Sequence, residues 1–284
     1  MIRDAIASAS PASWVVGMSH GLLVAAVLGE AAWRGVTDGW SRVRRLPVVA
    51  VMAAGAVLVG VGVTRLYGAL WPVLGRWAPA SLAGVWDRLP VLGAVAAFVA
   101  WDLAGYWYHR IGHRTRLGWA SHQVHHTGDH YDLSLAWRQS WLPLHAVAIF
   151  PVLALAGLRL EPLVVCAAVS NLWQALVHTA APVRLPSWVE ATLTTPATHR
   201  RHHAVGDGGA TTAVNLAPVL TLWDRLGGTW DPRPVPEHTE YGIEARRDVG
   251  SAASLELAGW RELLSPAVTA GSGRPRTARP ATTR

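Results

Sequence analysis

The sequence predicts an all-α fold, a polytopic membrane bundle of about five apolar helices with the last two forming a hairpin, under a histidine-rich cytoplasmic cap. Three observations point that way. The chain is 51% hydrophobic and only 15% charged, which leans away from an ordinary soluble protein. Five apolar stretches each approach the ~20 residues that an α-helix needs to cross ~30 Å of hydrocarbon. Histidines are grouped at spacings of three and four beside the ends of those stretches.

The first apolar stretch, residues 14–33, is too long for a signal-peptide core and has no cationic segment before it beyond Arg3, so it reads as retained. Arg34, Arg42, Arg44 and Arg45 follow it, and the positive-inside rule puts that loop in the cytoplasm. Counting then sets the rest. Residues 47–66 lead out and 90–108 lead back, so 109–140 is cytoplasmic. Stretches 141–158 and 162–180 pair as a hairpin turning at residues 159–162. Trp71, Trp101, Trp107, Trp141 and Trp188 fall near predicted helix ends, where an amphipathic ring suits the headgroup region.

Past residue 180 hydrophobicity drops and Pro, Gly, Thr and Asp become common, which predicts a loop-rich cytoplasmic cap. Residues 251–264 place Leu255, Trp260, Leu263 and Leu264 beside Glu256, Arg261 and Glu262, a short amphipathic helix. The tail from 268 to 284 reads as disordered. The chain divides into N-terminal membrane helices (1–89), a histidine-bearing domain (90–242) that the resemblance described below implies is catalytic, an amphipathic segment (243–267) and the tail.

The net charge of +7 does not call for nucleic acid, because Arg274, Arg276, Arg279 and Arg284 supply four of it in an acid-free tail. One cysteine, Cys166, lies in an apolar run. A disulfide framework or thiolate-bound cluster is excluded within one chain, and Cys166 reads as core.

The histidines carry the chemistry. His109 and His113 are an i, i+4 pair; His122, His125 and His126 an i, i+3, i+4 set; His199, His202 and His203 repeat that set. Residues three and four apart share a helix face, so two such imidazoles can reach one metal. Thr195 can cap the third group, with Pro196 at the first helical position. The positive helix end there disfavours imidazolium. Ser121 could cap the middle group, and Gly112 weakens the helix through the first. His178 ends the last apolar stretch. Asp102 lies seven residues before His109, in a membrane stretch where a carboxylate is costly without a partner. It is expected to accept the second N–H of a ligating imidazole. His20, His130, His145 and His238 stand alone and read as packing or surface residues.

Imidazole alone does not name the metal. A closed zinc site needs four ligands, so eight or nine histidines point to a pair of metals. Two redox-active irons can share the reduction of O2, whereas two zincs activate only water. Three rivals remain. A di-zinc hydrolase would need a carboxylate base such as Asp129 or Asp207; a bis-His heme or quinone-linked carrier would need imidazoles facing each other across a bundle; and a lipid-binding or assembly protein would need none of this chemistry.

The arrangement resembles the fatty acid hydroxylase/sterol desaturase superfamily. The residues that carry the resemblance are Asp102 with Tyr106 to Arg110 and His113, then His122 to His126, His178-Thr179, Thr195 to His203, Leu222 to Leu226, and Gly228-Thr229. They lie, in the family's order, between residues 90 and 242. The resemblance implies a membrane di-iron oxygenase that uses O2 to hydroxylate or desaturate a lipid. It implies His109, His113, His122, His125, His126, His178, His199, His202 and His203 as ligands. The run from His122 through Tyr131 to Ser140 is most similar to the branch containing alkylglycerol monooxygenase and its bacterial relatives. Asp132 and Trp137 depart from the residues usual in that branch, and Gly227 from the Phe that the superfamily tends to have. The His-Pro-Gly-Gly signature of cytochrome b5 is absent, so electrons would come from a separate protein or a reduced pterin. Hydroxylation, desaturation and ether cleavage remain open.

Overall fold

A computed structural model describes residues 11–38, 45–79, 88–205, 213–236, 239–243 and 250–265. The expected disordered tail lies outside the described residues, as do Arg42, Arg44, Asp207 and His238. Among the described residues the fold is all-helical, with two isolated β-bridges, Leu193 to Leu220 and Ala204 to Tyr241.

Helices α1 (Pro11–Asp38), α2 (Leu46–Gly75) and α3 (Pro90–Arg114) come first. With 30 and 25 residues, α2 and α3 are, among the described residues, the two long and apolar enough to cross a membrane. At 1.5 Å per residue they reach ~45 and ~37 Å, beyond the ~30 Å of a hydrocarbon core. The chain then makes α4 (Arg116–His122) and two 3-10 turns (Gln123–His126, Leu133–Trp137). It continues through α5 (Leu144–Ile149), α6 (Val152–Leu155) and α7 (Leu160–Leu176). After these come α8 (Ser187–Thr192), α9 (Pro196–His203), α10 (Leu222–Gly227) and α11 (Ala252–Leu264).

The expected continuous helix over 141–158 is corrected: this stretch is two short helices, α5 and α6, broken around Phe150 and Pro151. Pro143 and Pro151 cannot donate to a helical ladder, and Gly157, at φ 76°, turns the chain toward α7. Aromatic side chains of α2 brace this irregular stretch. Tyr67 Oη donates to Ala146 O at 2.9 Å and Trp71 Nε1 to Leu158 O at 2.8 Å. Tyr67, Trp71, Ala97, Ala104, Leu153, Leu158, Leu163 and Cys166 form the buried core where α2, α3, α6 and α7 meet. Cys166 is thus core, as its apolar run implies. Of the expected interfacial tryptophans, Trp107 and Trp188 are exposed, whereas Trp71 is buried.

Helix α11 forms with Ser251 as its cap, accepting from Ser254 N, but its faces differ from the sequence expectation. Leu264 is 79% exposed and Glu256 only 3%, because α11 docks on α4 through Ala252, Leu255, Glu256 and Gly259. Glu256 Oε2 accepts from Trp141 N at 2.9 Å, while Oε1 has no partner. Burial pushes this carboxyl up from 4.5 to about 7. A raised acid pKa leaves stability untouched below 4.5, erodes it as pH rises from 4.5 to 7, and leaves the full penalty above 7. At 1.36 kcal/mol per unit that penalty is about 3 kcal/mol. Glu256→Gln is therefore expected to gain thermal stability over the native chain at pH 8 but not at pH 4.5. Parallel unfolding curves at both pH values would refute this.

Candidate metal centre

The last turns of α3 deliver His109 and His113, and the helix continues unbroken through Gly112 to Arg114. The expected fraying is absent, and the glycine has another reason. A Cβ on Gly112 would lie 3.3 Å from His122 Cβ, so glycine lets α4 press its histidine against α3. The cap of α4 is Thr115, which accepts from Gly118 N at 3.0 Å. Ser121 is not the cap: it sits inside α4 and donates to Leu142 O. His122 closes α4, and His125 and His126 lie on the 3-10 turn after it. Thr195 and Thr198 form a reciprocal capping box at the start of α9, with Pro196 next, as the sequence indicates. His178 follows α7 in a turn rather than ending the helix.

All nine histidines converge, and they do so as two groups. His109, His113, His122, His126 and His202 offer ligand atoms within 4.8 Å of one another; so do His125, His178, His199 and His203. The groups abut, with the rings of His126 and His203 stacked 4.4 Å apart and those of His199 and His202 stacked at 5.1 Å. The two i, i+3, i+4 sets divide in opposite senses. His122 and His126 serve the five-membered group and His125 the other, whereas His199 and His203 serve the four-membered group and His202 the first.

Backbone carbonyls fix the tautomers. His109 Nδ1 faces Leu216 O at 2.8 Å, His125 Nδ1 faces Leu135 O at 3.1 Å, His178 Nδ1 faces Gln174 O at 2.6 Å, and His202 Nδ1 faces Val214 O at 2.8 Å. A carbonyl can only accept, so each of these nitrogens carries the proton and each Nε2 presents a lone pair. His178 Nε2 nonetheless lies 3.1 Å from His125 Nε2, 3.0 Å from His199 Nε2 and 3.2 Å from His203 Nε2. The His178 and His125 lone pairs face each other with no proton between them, an arrangement that a cation resolves. Ligand atoms about 2.1 Å from one metal lie about 3.0 to 3.4 Å apart in octahedral or tetrahedral order, which these separations match. In the other group His109 Nε2 and His113 Nε2 are buried without a hydrogen-bond partner. The residues fit a pair of metal ions.

Burial first, and the neighbouring rings second, hold His122, His126, His199, His202 and His203 well below the usual imidazole range. His178 is lowered to about 4. The rings are therefore neutral and able to bind metal at physiological pH.

Asp102 does not accept from an imidazole, which corrects the sequence expectation. Fully buried, its carboxylate accepts from Val219 N (3.0 Å), Leu220 N (2.9 Å) and Trp223 Nε1 (2.9 Å). Asp224 plays the adjoining part, accepting from Leu216 N, Ala217 N and Thr229 Oγ1. Between them they fix the strap whose Leu216 and Val214 carbonyls hold His109 and His202. The residue between those carbonyls, Asn215, has a left-handed backbone (φ 51°), a conformation asparagine tolerates. Its amide donates to Thr198 O and Asp231 O and accepts from Asp231 N, tying the strap to α9. Sequence reasoning passed over Asn215, whose signal was only a lone asparagine in an apolar run. It also passed over Glu30 on α1. The Glu30 carboxylate accepts from Leu133 N, Thr179 Oγ1 and Ala180 N, tying the segment after His178 to the first helix.

Tyr131 closes the outer side of the four-histidine group, its ring 5.5 Å from His203 and its hydroxyl donating to Val177 O at 2.8 Å. The Gly227 carbonyl accepts from Arg110 at 2.8 Å, and a Cβ at this position would overlap the Tyr106 hydroxyl, so a side chain has no room there. Among the described residues neither group contains a carboxylate. Asp129, the base a hydrolase would use, is held by both guanidinium nitrogens of Arg45, which lower its carboxyl below the usual range despite partial burial. His20 is exposed on α1, His130 lies near Asp129, and His145 is buried.

Residues 94–229 match the fatty acid hydroxylase family profile. Over 150 residues the chain is 35% identical to alkylglycerol monooxygenase of Homo sapiens, covering 52% of this chain and 32% of that protein. The Danio rerio alkylglycerol monooxygenase is 36% identical over 149 residues, covering 52% and 32%. The ornithine lipid hydroxylase OlsE of Rhizobium tropici is 28% identical over 169 residues, covering 58% and 48%. The matches thus span about a third of the alkylglycerol monooxygenases. No solved structure matches the chain.

Proposed function

We propose, from the match of residues 94–229 to the fatty acid hydroxylase family and the likeness to alkylglycerol monooxygenases, that this chain is a membrane-bound di-iron oxygenase of lipids. It inserts oxygen into, or desaturates, a C–H bond of an acyl, sterol or alkyl-ether lipid. It uses O2 and electrons from a separate protein or a reduced pterin. The observation that carries the reading is the convergence of nine imidazoles into two abutting groups, with the Nε2 lone pairs of four of them fixed by main-chain carbonyls at Nδ1.

Iron would be held by His109, His113, His122, His126 and His202 on one side and by His125, His178, His199 and His203 on the other. Two redox-active metals supply the reduction of O2 that attack on an unactivated C–H bond requires. The chain's own part is placement. Four main-chain carbonyls keep four Nε2 atoms unprotonated and aimed, so the site is preorganised and need not reorganise during turnover. Tyr131, stacked against His178 and hydrogen-bonded to Val177 O, screens the four-histidine side from water. The spanning-length helices α2 and α3 support a centre lying where α3 would leave the hydrocarbon, within reach of a lipid that never enters water. Arg34 and Arg45 at that end favour a cytoplasmic site under the positive-inside rule.

The test is metal analysis and O2 uptake on protein purified without added metal, together with lipidomics of a deletion strain against its parent. Iron at about two per chain is expected, as is O2 uptake dependent on lipid and reductant. In the deletion strain one lipid class should lack an oxygen or gain a saturated bond. Zinc alone, with no O2 uptake after reconstitution with ferrous iron, would replace this reading with hydrolysis.

A further inference from the structure

His145, in the first turn of α5, is 5% exposed, and neither of its ring nitrogens has a hydrogen-bond partner. The Tyr108 carbonyl is near the ring but outside hydrogen-bond geometry. A buried donor or acceptor left unsatisfied is destabilising, so two on one side chain call for a ligand. Simple packing would be served better by Phe or Leu.

The position of the ring indicates what that ligand is. His145 stacks on Tyr108 at 4.2 Å with an interplanar angle of 4°, and Tyr108 in turn meets the His122 ring edge-on at 6.5 Å and precedes His109 in α3. His145 therefore stands one ring away from the five-histidine group. From Tyr108 an aromatic strip runs down α3 through Phe150, 6.1 Å from Tyr108 and stacked 4.5 Å from Trp101. Trp101 lies seven residues, about 10 Å along the axis, deeper in the apolar helix. The flanking surface is lipid-like, with Leu144, Val152 and Leu155 exposed. The polar ring thus sits at the metal end of an apolar, aromatic wall that leads into the membrane.

We propose that His145 is a specificity residue that hydrogen-bonds an oxygen atom of the lipid substrate, seating that oxygen beside the five-histidine group while the hydrocarbon chain lies along Tyr108, Phe150 and Trp101. The ligand is then an amphiphile with a hydrogen-bonding oxygen on a long chain, and a plain hydrocarbon is a poor occupant. This rests on the lipid-oxygenase reading for the word substrate, but the binding preference is measured without turnover.

The full chain in lipid nanodiscs, metal-loaded and under argon, is titrated with hexadecyl methyl ether, 1-hexadecanol and n-heptadecane, each corrected for its partition into empty nanodiscs. The native protein is expected to prefer the two oxygen-bearing probes about tenfold, the worth of ~1.4 kcal/mol. His145→Phe keeps the stack on Tyr108 and is expected to bring the preference to about one without changing heptadecane affinity, while His145→Gln retains most of it. Equal native affinity for ether and hydrocarbon overturns the proposal without any variant, and so does a preference that survives His145→Phe. The two readings fail separately. A preference found in protein that binds no iron supports the role of His145 and removes the oxygenase, whereas iron at two per chain with no preference does the reverse.

Discussion

Replacing His202 with alanine is expected to cut bound iron from about two to about one per chain and to lower lipid-dependent O2 uptake at least ~100-fold. That is the upper range for losing a mere outer partner of a metal site, so loss of a ligand atom sets it as a floor. His202 is fully buried among His109, His113 and His126, with its Nδ1 held by Val214 O. Its neighbour His203 faces the other group, so His203→Ala should remove the other iron. The two variants are then distinguishable by which metal signal survives in Mössbauer or EPR spectra, although their residues are adjacent. His20→Ala, on the exposed face of α1, should keep both irons and full activity. Full iron and normal turnover in both His202→Ala and His125→Ala would end the two-group assignment.

Asp102→Ala is expected to be nearly as damaging by a different route. The substitution strips acceptors from Val219 N, Leu220 N and Trp223 Nε1. At about 1–3 kcal/mol for each buried donor left unpaired, the loss is roughly 3–9 kcal/mol, comparable with the whole stability of many domains. The strap from residue 214 to 224 should loosen, and with it the carbonyls that aim His109 and His202. The five-histidine group should therefore release metal more readily to a chelator than the four-histidine group does. Asp102→Asn keeps one carbonyl oxygen and should fall between. A variant that melts with the native protein and releases metal at the native rate would show that the carboxylate does not hold the strap.

Much of this site is legible in the sequence, and the limits have physical causes. Spacing by three and four announces shared helix faces, so the ligand groups, the Thr195 cap and the core position of Cys166 can be read locally. Which group each ring joins cannot, since i+3 and i+4 neighbours differ by about one residue's rotation and the choice is made by helices that meet only in the folded chain. Asp102 is legible as a buried carboxylate needing a partner, but its partners lie more than a hundred residues on, and they are two main-chain amides and an indole rather than an imidazole. Glu30 and Asn215 are long-range anchors with no motif around them. The stretch 141–158 misleads because apolar composition signals burial in hydrocarbon or core alike. Only Pro143, Pro151 and Gly157 hint that its helix is interrupted. Glu256 misleads in the opposite sense, a charge on a short amphipathic helix whose docking face is set by close approach at Gly259.

The opposite division of the two histidine triplets has a consequence for assembly. Because the turn at 122–126 and helix α9 each send rings to both groups, neither ion could be seated without fixing both segments, and the ordering entropy would be met by whichever ion arrives first. The second ion then enters a cradle already built. Loading should be all-or-nothing: titration with ferrous iron at limiting metal should yield a mixture of empty and doubly filled molecules with few carrying a single ion. The enzyme would thereby avoid a lone iron exposed to O2 without its partner.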